Sequence, residues 1–485
     1  MIFTKIISLL ILFIISFYLL LFEGVNLDLL FIICFLTTCL MCLDAGDWIV
    51  GKRSIFDPVC IISLFSYMFF FISPLLQKSW SYWPSFPELK YNTGWILAWA
   101  SINFFGSVLY RSMIWFDDRK TIIKNNYVYE FKRSKFLKVT FYFMLIGIIC
   151  QLYIYQKFGG VSGFINTFSY RQENSAAVFD PFEGMGIEML LADGFRNLFA
   201  IFIIVYFKDS RFVRRWWFFA LVLISLVVVS FIFGGLKGSR GAVVYSVFWG
   251  VGMYHFWIRP IKVKHAVVGM LSIMVFLNTY YWYKFAGVEG LTAMFDDKVK
   301  QSLNQGLREE NTKFVISRDL GRMDFQTIAL IEILDDEFPL SYGRSYISAI
   351  FSVVPTAIVS AENKPASITK EKTELIFGQG SYIHGDVRAT TNLLGQFGEL
   401  SVNFGIVGCF LFYFLLAKYV LLIRRIINRS LKGDAILLLV PMLSLLAIQF
   451  IMYDSSVMVQ FLFRNFIYIT FIYILCLRKV YTQKV

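Results

Sequence analysis

A glycine-rich stretch with two cations is the part of the sequence whose residue types point most directly to ligand binding. It reads GGLKGSRG over residues 234–241, includes Lys237 and Arg240, and joins two apolar segments. Glycines let the backbone approach a ligand closely, and the first turn of the next helix adds a positive dipole end. The stretch therefore predicts an anion site, with a tight hairpin carrying snorkelling charges as the alternative. It lacks the spacing of a P-loop, which argues against nucleotide hydrolysis.

The long polar run at residues 287–400 carries the other residues that could do chemistry. It contains His384, Asp386 and Glu399, and its arginines are Arg308, Arg318, Arg322, Arg344 and Arg388. A histidine can take up a proton near neutral pH, and a carboxylate can orient it or act as the base itself. The alternative for His384 is a loop residue hydrogen-bonded to backbone. The charged residues 370–374 are typical of a solvated helix face.

Composition places this polar run inside a membrane protein. The chain of 485 residues is 58% hydrophobic and 16% charged, with 53 phenylalanines, which excludes an ordinary soluble domain. Its formal net charge of +13 lies largely in short loops between apolar segments, where membrane topology explains it. We therefore do not expect nucleic acid as a partner.

Hydropathy predicts an all-α polytopic protein with about twelve spans. Nine lie within residues 1–286 and three within residues 401–485, and they flank the extracytoplasmic region 287–400 with its short or re-entrant helices. The loops that this count places inside are basic, so both termini are predicted to be cytoplasmic. The predicted spans are 2–22, 27–43, 58–76, 94–114, 139–155, 190–207, 216–236, 242–257, 267–285, 401–422, 436–452 and 457–475.

Charged residues within predicted spans are further candidates, because they are costly in a bilayer. Asp193 and Arg196 lie three residues apart on one helical face. They predict either a functional group or a mutually neutralised pair near the interface. Three scattered histidines argue against a zinc site, and we expect neither a metal ion nor a cofactor.

Several fragments, taken in order, resemble a known family. They are Gly159-Gly160-Val161 followed by Arg171, Gly238-Ser239-Arg240-Gly241 opening a span, Phe338-Pro339 followed by Gly343-Arg344-Ser345-Tyr346 and Val354-Pro355, and Glu399 with Asn403-Phe404-Gly405-Ile406-Val407-Gly408. Together with the long polar region before the last spans, they resemble the oligosaccharide repeat-unit polymerases, the Wzy-type O-antigen polymerases. The resemblance covers roughly residues 153–417.

The resemblance implies a metal-independent glycosyltransferase of GT-C-like architecture in the bacterial inner membrane, with its active site facing outward. Its substrates would be undecaprenyl-pyrophosphate-linked oligosaccharides in the lipid bilayer, and a chain-length regulator protein would be a further partner. His384 would act as the base with Asp386 or Glu399, because an acceptor hydroxyl must lose a proton. The pyrophosphate would be held by Arg171, Lys237, Arg240, Arg318, Arg322, Arg344 and Arg388.

Two other function classes remain open at this point. A ligase of similar architecture would attach finished polymer to another lipid acceptor. A flippase or transporter of the same lipid-linked sugar would be expected to have repeated halves with polar residues in the middle of several spans. Here the first predicted spans contain few polar residues, and the polar residues of the chain concentrate on one side of the membrane. This distribution favours chemistry at the membrane surface.

Overall fold

The structure, a computed structural model, describes most of the chain. It covers residues 2–83, 86–119, 123–169, 185–236, 240–273, 275–276, 279, 313, 315–335, 339–354, 358–360, 363–365, 368–382 and 393–481, without the side chains of 166, 168, 169, 240, 318, 319 and 376. The described part of the chain is mostly helical, at 79%.

The described part of the chain contains eighteen α-helices. In chain order they are α1 (Ile2–Phe22), α2 (Leu29–Met41), α3 (Ala45–Ile49), α4 (Pro58–Ser66), α5 (Ser73–Ser79), α6 (Thr93–Asp118), α7 (Arg133–Lys157), α8 (Gly160–Ser169), α9 (Gly186–Phe207), α10 (Trp216–Ser230), α11 (Arg240–Trp257), α12 (Val263–Ile273), α13 (Met323–Leu334), α14 (Arg344–Phe351), α15 (Ile368–Phe377), α16 (Gly395–Arg429), α17 (Val440–Met452) and α18 (Ser455–Cys476). Two strands, β1 (Tyr127–Phe131) and β2 (Leu477–Tyr481), pair antiparallel with Tyr127 opposite Tyr481.

Eight helical segments of the described part are long and apolar enough to cross a membrane. They are Ile2–Phe22, Leu29–Ile49, Pro58–Ser79, Arg133–Lys157, Gly186–Phe207, Trp216–Gly235, Gly395–Arg429 and Ser455–Cys476. A mostly helical, polytopic membrane protein, as hydropathy predicts, is therefore confirmed as the class. Helices α6 and α11 also lie where spans are predicted, and α12 and α17 are shorter apolar helices.

Helix α1 shows the residue distribution that a bilayer favours. It exposes Phe3, Phe13 and Phe17, and it buries the small polar residues Thr4 and Ser8. Lipid tails solvate large apolar side chains, whereas small residues let helices pack closely. The hydroxyl of Ser8 accepts a hydrogen bond from the Gly46 N–H at 2.7 Å, which closes α1 against α3.

The chain forms two compact units. Unit 1 comprises Met1–Thr121, Gly306–Arg425 and Ser444–Gln460, and unit 2 comprises Ile122–Gln305, Ile426–Leu443 and Phe461–Val485.

Helix α13 belongs to the core of unit 1, although the sequence places it in the long polar region. Gln326 is fully buried, accepts from Trp99 Nε1 at 3.0 Å and donates to the Leu394 carbonyl at 3.0 Å. Polar side chains that lower the local hydropathy are thus paired inside the protein, where pairing offsets their desolvation. Part of residues 287–400 is interior rather than solvated.

Unit 1 also contains a network of charged side chains. Arg424, 3% exposed, donates from Nη1 to Asp118 at 2.9 Å and from Nε to Asp57 at 3.3 Å. The other members of the network are Lys5, Arg53, Arg111, Asp44 and Asp47. These ion pairs tie together α1, the segment between α2 and α4, α6 and α16.

In unit 2, α7 packs along α9, and β1 pairs with β2. Trp249 Nε1 donates to the Leu438 carbonyl at 2.6 Å, which fastens α11 to the segment before α17. Within the buried face of α9, Asn197 Nδ2 donates to Asn465 Oδ1 at 2.6 Å. Such side-chain hydrogen bonds hold transmembrane helices together.

Candidate functional site

Three of the predicted site residues have described side chains, and all three belong to unit 1: Glu399, Arg322 and Arg344. For two others, Arg240 at the start of α11 and Arg318, only the backbone is described. The remaining predicted residues lie outside the described residues; they are Arg171, Lys237, His384, Asp386 and Arg388.

Glu399 lies in the first part of α16 and is fully buried. Its carboxylate accepts from the Ser455 N–H at 2.6 Å, from the Ser455 hydroxyl and from Gln396 Nε2 at 3.2 Å. Ser455 is the first residue of α18, so the carboxylate lies at the positive end of that helix, where negative charge is stabilised. In this arrangement Glu399 holds two helices together, and its acceptor positions are occupied by protein groups.

The residue before Ser455 makes a second buried carboxylate site. Asp454 is fully buried; its Oδ1 accepts from the Leu394 N–H at 2.9 Å and from the Gly395 N–H at 3.1 Å. Its Oδ2 accepts from Lys372 Nζ at 2.8 Å, and Lys372 is 4% exposed. This is an ion pair in the interior, completed by two backbone donors.

The short connection Met452–Ser455, which we call the 452–455 turn, is therefore the centre of the site. Arg322 Nε donates to the Met452 carbonyl at 3.3 Å, and Arg322 Nη1 donates to the Gly321 carbonyl at 2.6 Å. Gln396 Nε2 donates to the Tyr453 carbonyl at 3.1 Å. Side chains from the N-terminal end of α13, from α15 and from α16 thus converge on four consecutive residues.

Arg344 reaches the same cluster through its neighbours. Gly343 has a φ of +87°, a value that favours glycine, and its N–H donates to Asn403 Oδ1 at 2.7 Å. Asn403 Nδ2 donates to Ser345 Oγ at 2.8 Å and to the Glu399 carbonyl at 2.7 Å. Arg344 itself is exposed at the first position of α14. An exposed guanidinium at a helix N-terminus is a suitable place for an anion.

A third carboxylate lies beside this junction. The Ser341 hydroxyl donates to Glu371 Oε1 at 2.6 Å. Burial raises the pKa of Glu371 above its ordinary value, and the Ser341 hydrogen bond and the nearby Arg344 charge oppose that rise. Residues 370–374 are therefore not a uniformly solvated face, because Glu371 and Lys372 turn inward.

The sequence reasoning missed Asp454, Lys372, Gln396 and Ser455. One signal was available: Asp454 stands between two apolar helices, where an unpaired carboxylate is costly and a partner is expected. Within the described part of the chain, no group of three or more His, Cys, Asp and Glu side chains is placed to hold a metal ion.

The chain matches no family model, no curated protein and no solved structure. Its function must therefore be argued from its own residues.

Proposed function

We propose that the protein polymerises lipid-linked oligosaccharide repeat units at the outer face of the bacterial cytoplasmic membrane. It transfers a growing glycan from undecaprenyl pyrophosphate to a sugar hydroxyl of the next lipid-linked unit. The bond between the sugar C1 and the pyrophosphate oxygen breaks, a new glycosidic bond forms, and the acceptor proton passes to a base. The protein has about twelve spans in a GT-C-like arrangement, both termini are cytoplasmic, and a chain-length regulator is an expected partner.

One observation carries this proposal. Two of the fragments on which the family resemblance rests, Gly343–Tyr346 and Glu399–Gly408, are more than fifty residues apart in sequence. They meet at Asn403, whose Oδ1 accepts from the Gly343 N–H and whose Nδ2 donates to Ser345 Oγ. In addition, the Ser341 N–H donates to the Val402 carbonyl at 3.1 Å. A resemblance spread over separate fragments gains weight when the fragments form one packed site.

The cluster also supports specific roles. Arg344, exposed at the start of α14, would bind the departing pyrophosphate, since its guanidinium meets two phosphate oxygens at once. Glu399 would position the 452–455 turn rather than take the proton, because its oxygens already accept from Ser455 and Gln396.

The base would be His384, assisted by Asp386. The chain before this segment is held at Ser381, whose hydroxyl donates to the Thr373 carbonyl at 3.5 Å, one residue from Lys372. The chain after it is held at Leu394, whose N–H donates to Asp454, the partner of Lys372. One flank of the segment is thus held at α15 and the other at the 452–455 turn, which supports a role for this segment in the proposed reaction.

The test uses purified protein in liposomes with lipid-linked repeat units. Arg344→Ala should lower the rate of chain extension about 100-fold or more, as expected when a charged group that stabilises the leaving pyrophosphate is removed. Arg344→Lys should restore part of it, because charge is retained and the planar fork is lost. Arg133→Ala, which removes an exposed arginine at the other unit's α7, is the matched control and should leave the rate unchanged.

Other outcomes identify the alternatives. A ligase would move preformed polymer to a new lipid acceptor without lengthening single units. A flippase would carry the unit across the bilayer with no new glycosidic bond. Normal extension by Arg344→Ala would remove Arg344 from the proposed mechanism.

A further inference from the structure

Arg196 is a buried cation in unit 2 with an unused hydrogen-bond donor. It lies in the middle of α9 and is 5% exposed. Its Nε donates to the backbone carbonyl of Asp193 at 3.2 Å. Its Nη1 is buried and donates to no atom of the residues that the structure describes. A guanidinium N–H left unpaired in the interior is costly, so the arrangement calls for an acceptor that is not part of the protein.

The free donor points to the end of the helical segment Trp216–Gly235 and the start of α11. A methyl group at Gly234 would collide with Arg196 Nη1, and it would lie 2.7 Å from the Ala242 Cβ. Ala242 belongs to the first turn of α11, an 18-residue helix. The guanidinium therefore occupies space that only glycine at 234 leaves open, beside a helix N-terminus with its positive dipole end.

Local charge favours an anion at this place. Asp193 attracts the Arg196 charge, whereas Arg464, an exposed residue of α18, repels it. These three groups leave an excess of positive charge in a part of the protein made of membrane-length helices. Charged groups in such a setting normally pair with one another or with a ligand.

We propose that Arg196 and the first turn of α11 bind an oxyanion of a diphosphate ligand. Arg196 Nη1 donates to the ligand oxygen, Gly234 provides the room, and the helix dipole adds attraction. The inference rests on the proposed function in one respect: a polyprenyl diphosphate is the form of the ligand that such a polymerase would encounter. The proposed site consists of described residues; Lys237 and the side chain of Arg240, which the sequence predicts to bind an anion, lie outside them.

The test measures binding directly, without polymerisation. Purified full-length protein is titrated with inorganic pyrophosphate, with farnesyl diphosphate, and with farnesol as the probe that lacks the anion. Binding of both diphosphates but not farnesol locates recognition in the phosphate groups, and tighter binding of farnesyl diphosphate identifies a lipid ligand. Absence of diphosphate binding by the wild-type protein would overturn the inference.

Variants then assign the binding to Arg196. Arg196→Met should weaken diphosphate affinity about 10- to 100-fold, the loss expected for a hydrogen bond between charged groups. Gly234→Ala should weaken it as well, because the added methyl group displaces the guanidinium. Arg133→Met makes the same substitution at a side chain 51% exposed in the same unit, and its affinity should equal that of wild type.

Thermal unfolding separates a binding arginine from a structural one. Arg196→Met removes the guanidinium but leaves the fold to be judged from its unliganded unfolding temperature, and the stabilisation by diphosphate should be smaller in this variant than in wild type. A lower unfolding temperature together with retained diphosphate affinity would show a structural role and overturn the inference. If Arg196→Met does not fold, Arg196→Lys and Gly234→Ala decide the question by affinity.

Failure of this inference is distinguishable from failure of the proposed function. If the protein binds diphosphate through Arg196 but does not extend glycans, the binding site is supported and the polymerase activity is refuted. If the protein extends glycans and Arg196→Met binds diphosphate as wild type does, the polymerase activity is supported and the binding site is refuted.

Discussion

Replacing Lys372 by Met should destabilise unit 1 strongly, because it leaves the Asp454 carboxylate without its countercharge. Asp454 is fully buried, Lys372 is 4% exposed, and their ion pair measures 2.8 Å. Removing one partner of such a pair costs about 3–5 kcal/mol of unfolding free energy. The two backbone donors from Leu394 and Gly395 stay in place, so we expect the lower part of that range.

The matched control lies two residues away on the same helix. Lys370 is 44% exposed, and its ion pair with Glu374 measures 4.0 Å. Lys370→Met makes the same chemical change at a solvated position, where the loss should stay below about 1 kcal/mol. The double variant Lys372→Met with Asp454→Asn removes both charges, and it should recover part of the stability lost by Lys372→Met alone.

The assay is unfolding in mixed micelles, followed by near-UV circular dichroism while the fraction of denaturing detergent is raised. The four proteins form a series in which the difference between Lys372→Met and Lys370→Met is the measured quantity. Equal stability of these two variants would refute the interpretation of Asp454 as a buried charge that depends on Lys372.

Three further predictions concern other parts of unit 1. Arg424→Ala should lower the free energy of unfolding by about 3–5 kcal/mol in the same assay, because Arg424 is 3% exposed within the charged network. Arg425 is 42% exposed, so Arg425→Ala should lower it by less than about 1 kcal/mol. Similar losses of stability in the two variants would contradict this prediction. Gly343→Ala should destabilise the junction by about 1–2 kcal/mol, since a φ of +87° strains any residue with a Cβ, and an unchanged unfolding midpoint would argue against it. Burial raises the pKa of Glu371, so its contribution to the free energy of unfolding should be complete below pH 4.5 and lost as the pH rises through the raised pKa. Over that pH interval the stability of Glu371→Gln should rise relative to that of wild type. If the free energies of unfolding of the two proteins depend on pH in the same way, this titration is excluded.

Hydropathy predicts much of the helical framework. The predicted spans 2–22 and 190–207 correspond to Ile2–Phe22 and Gly186–Phe207. The apolar runs are long enough to span there despite Lys5 in the first and Asp193 and Arg196 in the second, and the basic loops between spans add an independent signal. Boundaries differ where polar residues continue a helix: α16 begins at Gly395 rather than 401, and it is interrupted at Gly405, whose φ of 63° breaks the helical geometry.

The pairing of buried charges could not be predicted in this way. Lys372 and Asp454 are 82 residues apart, and Lys372 stands in a run of charges that resembles a solvated helix face. Its partner is defined by how α15 packs beside the 452–455 turn, which is tertiary information. Glu399 is predicted as a site residue because the fragment around it resembles a family, and its contacts with Ser455 and Gln396 are the basis for proposing that it positions the 452–455 turn.

The central claim is tested most directly by following both products of a single reaction. Purified protein in liposomes is given radiolabelled lipid-linked repeat units, and glycan length and free undecaprenyl pyrophosphate are measured together over time. Polymerisation predicts a ladder of lengthening glycans with one lipid pyrophosphate released for each new linkage. Repeat units that remain single, with no lipid pyrophosphate released by folded protein, would contradict it.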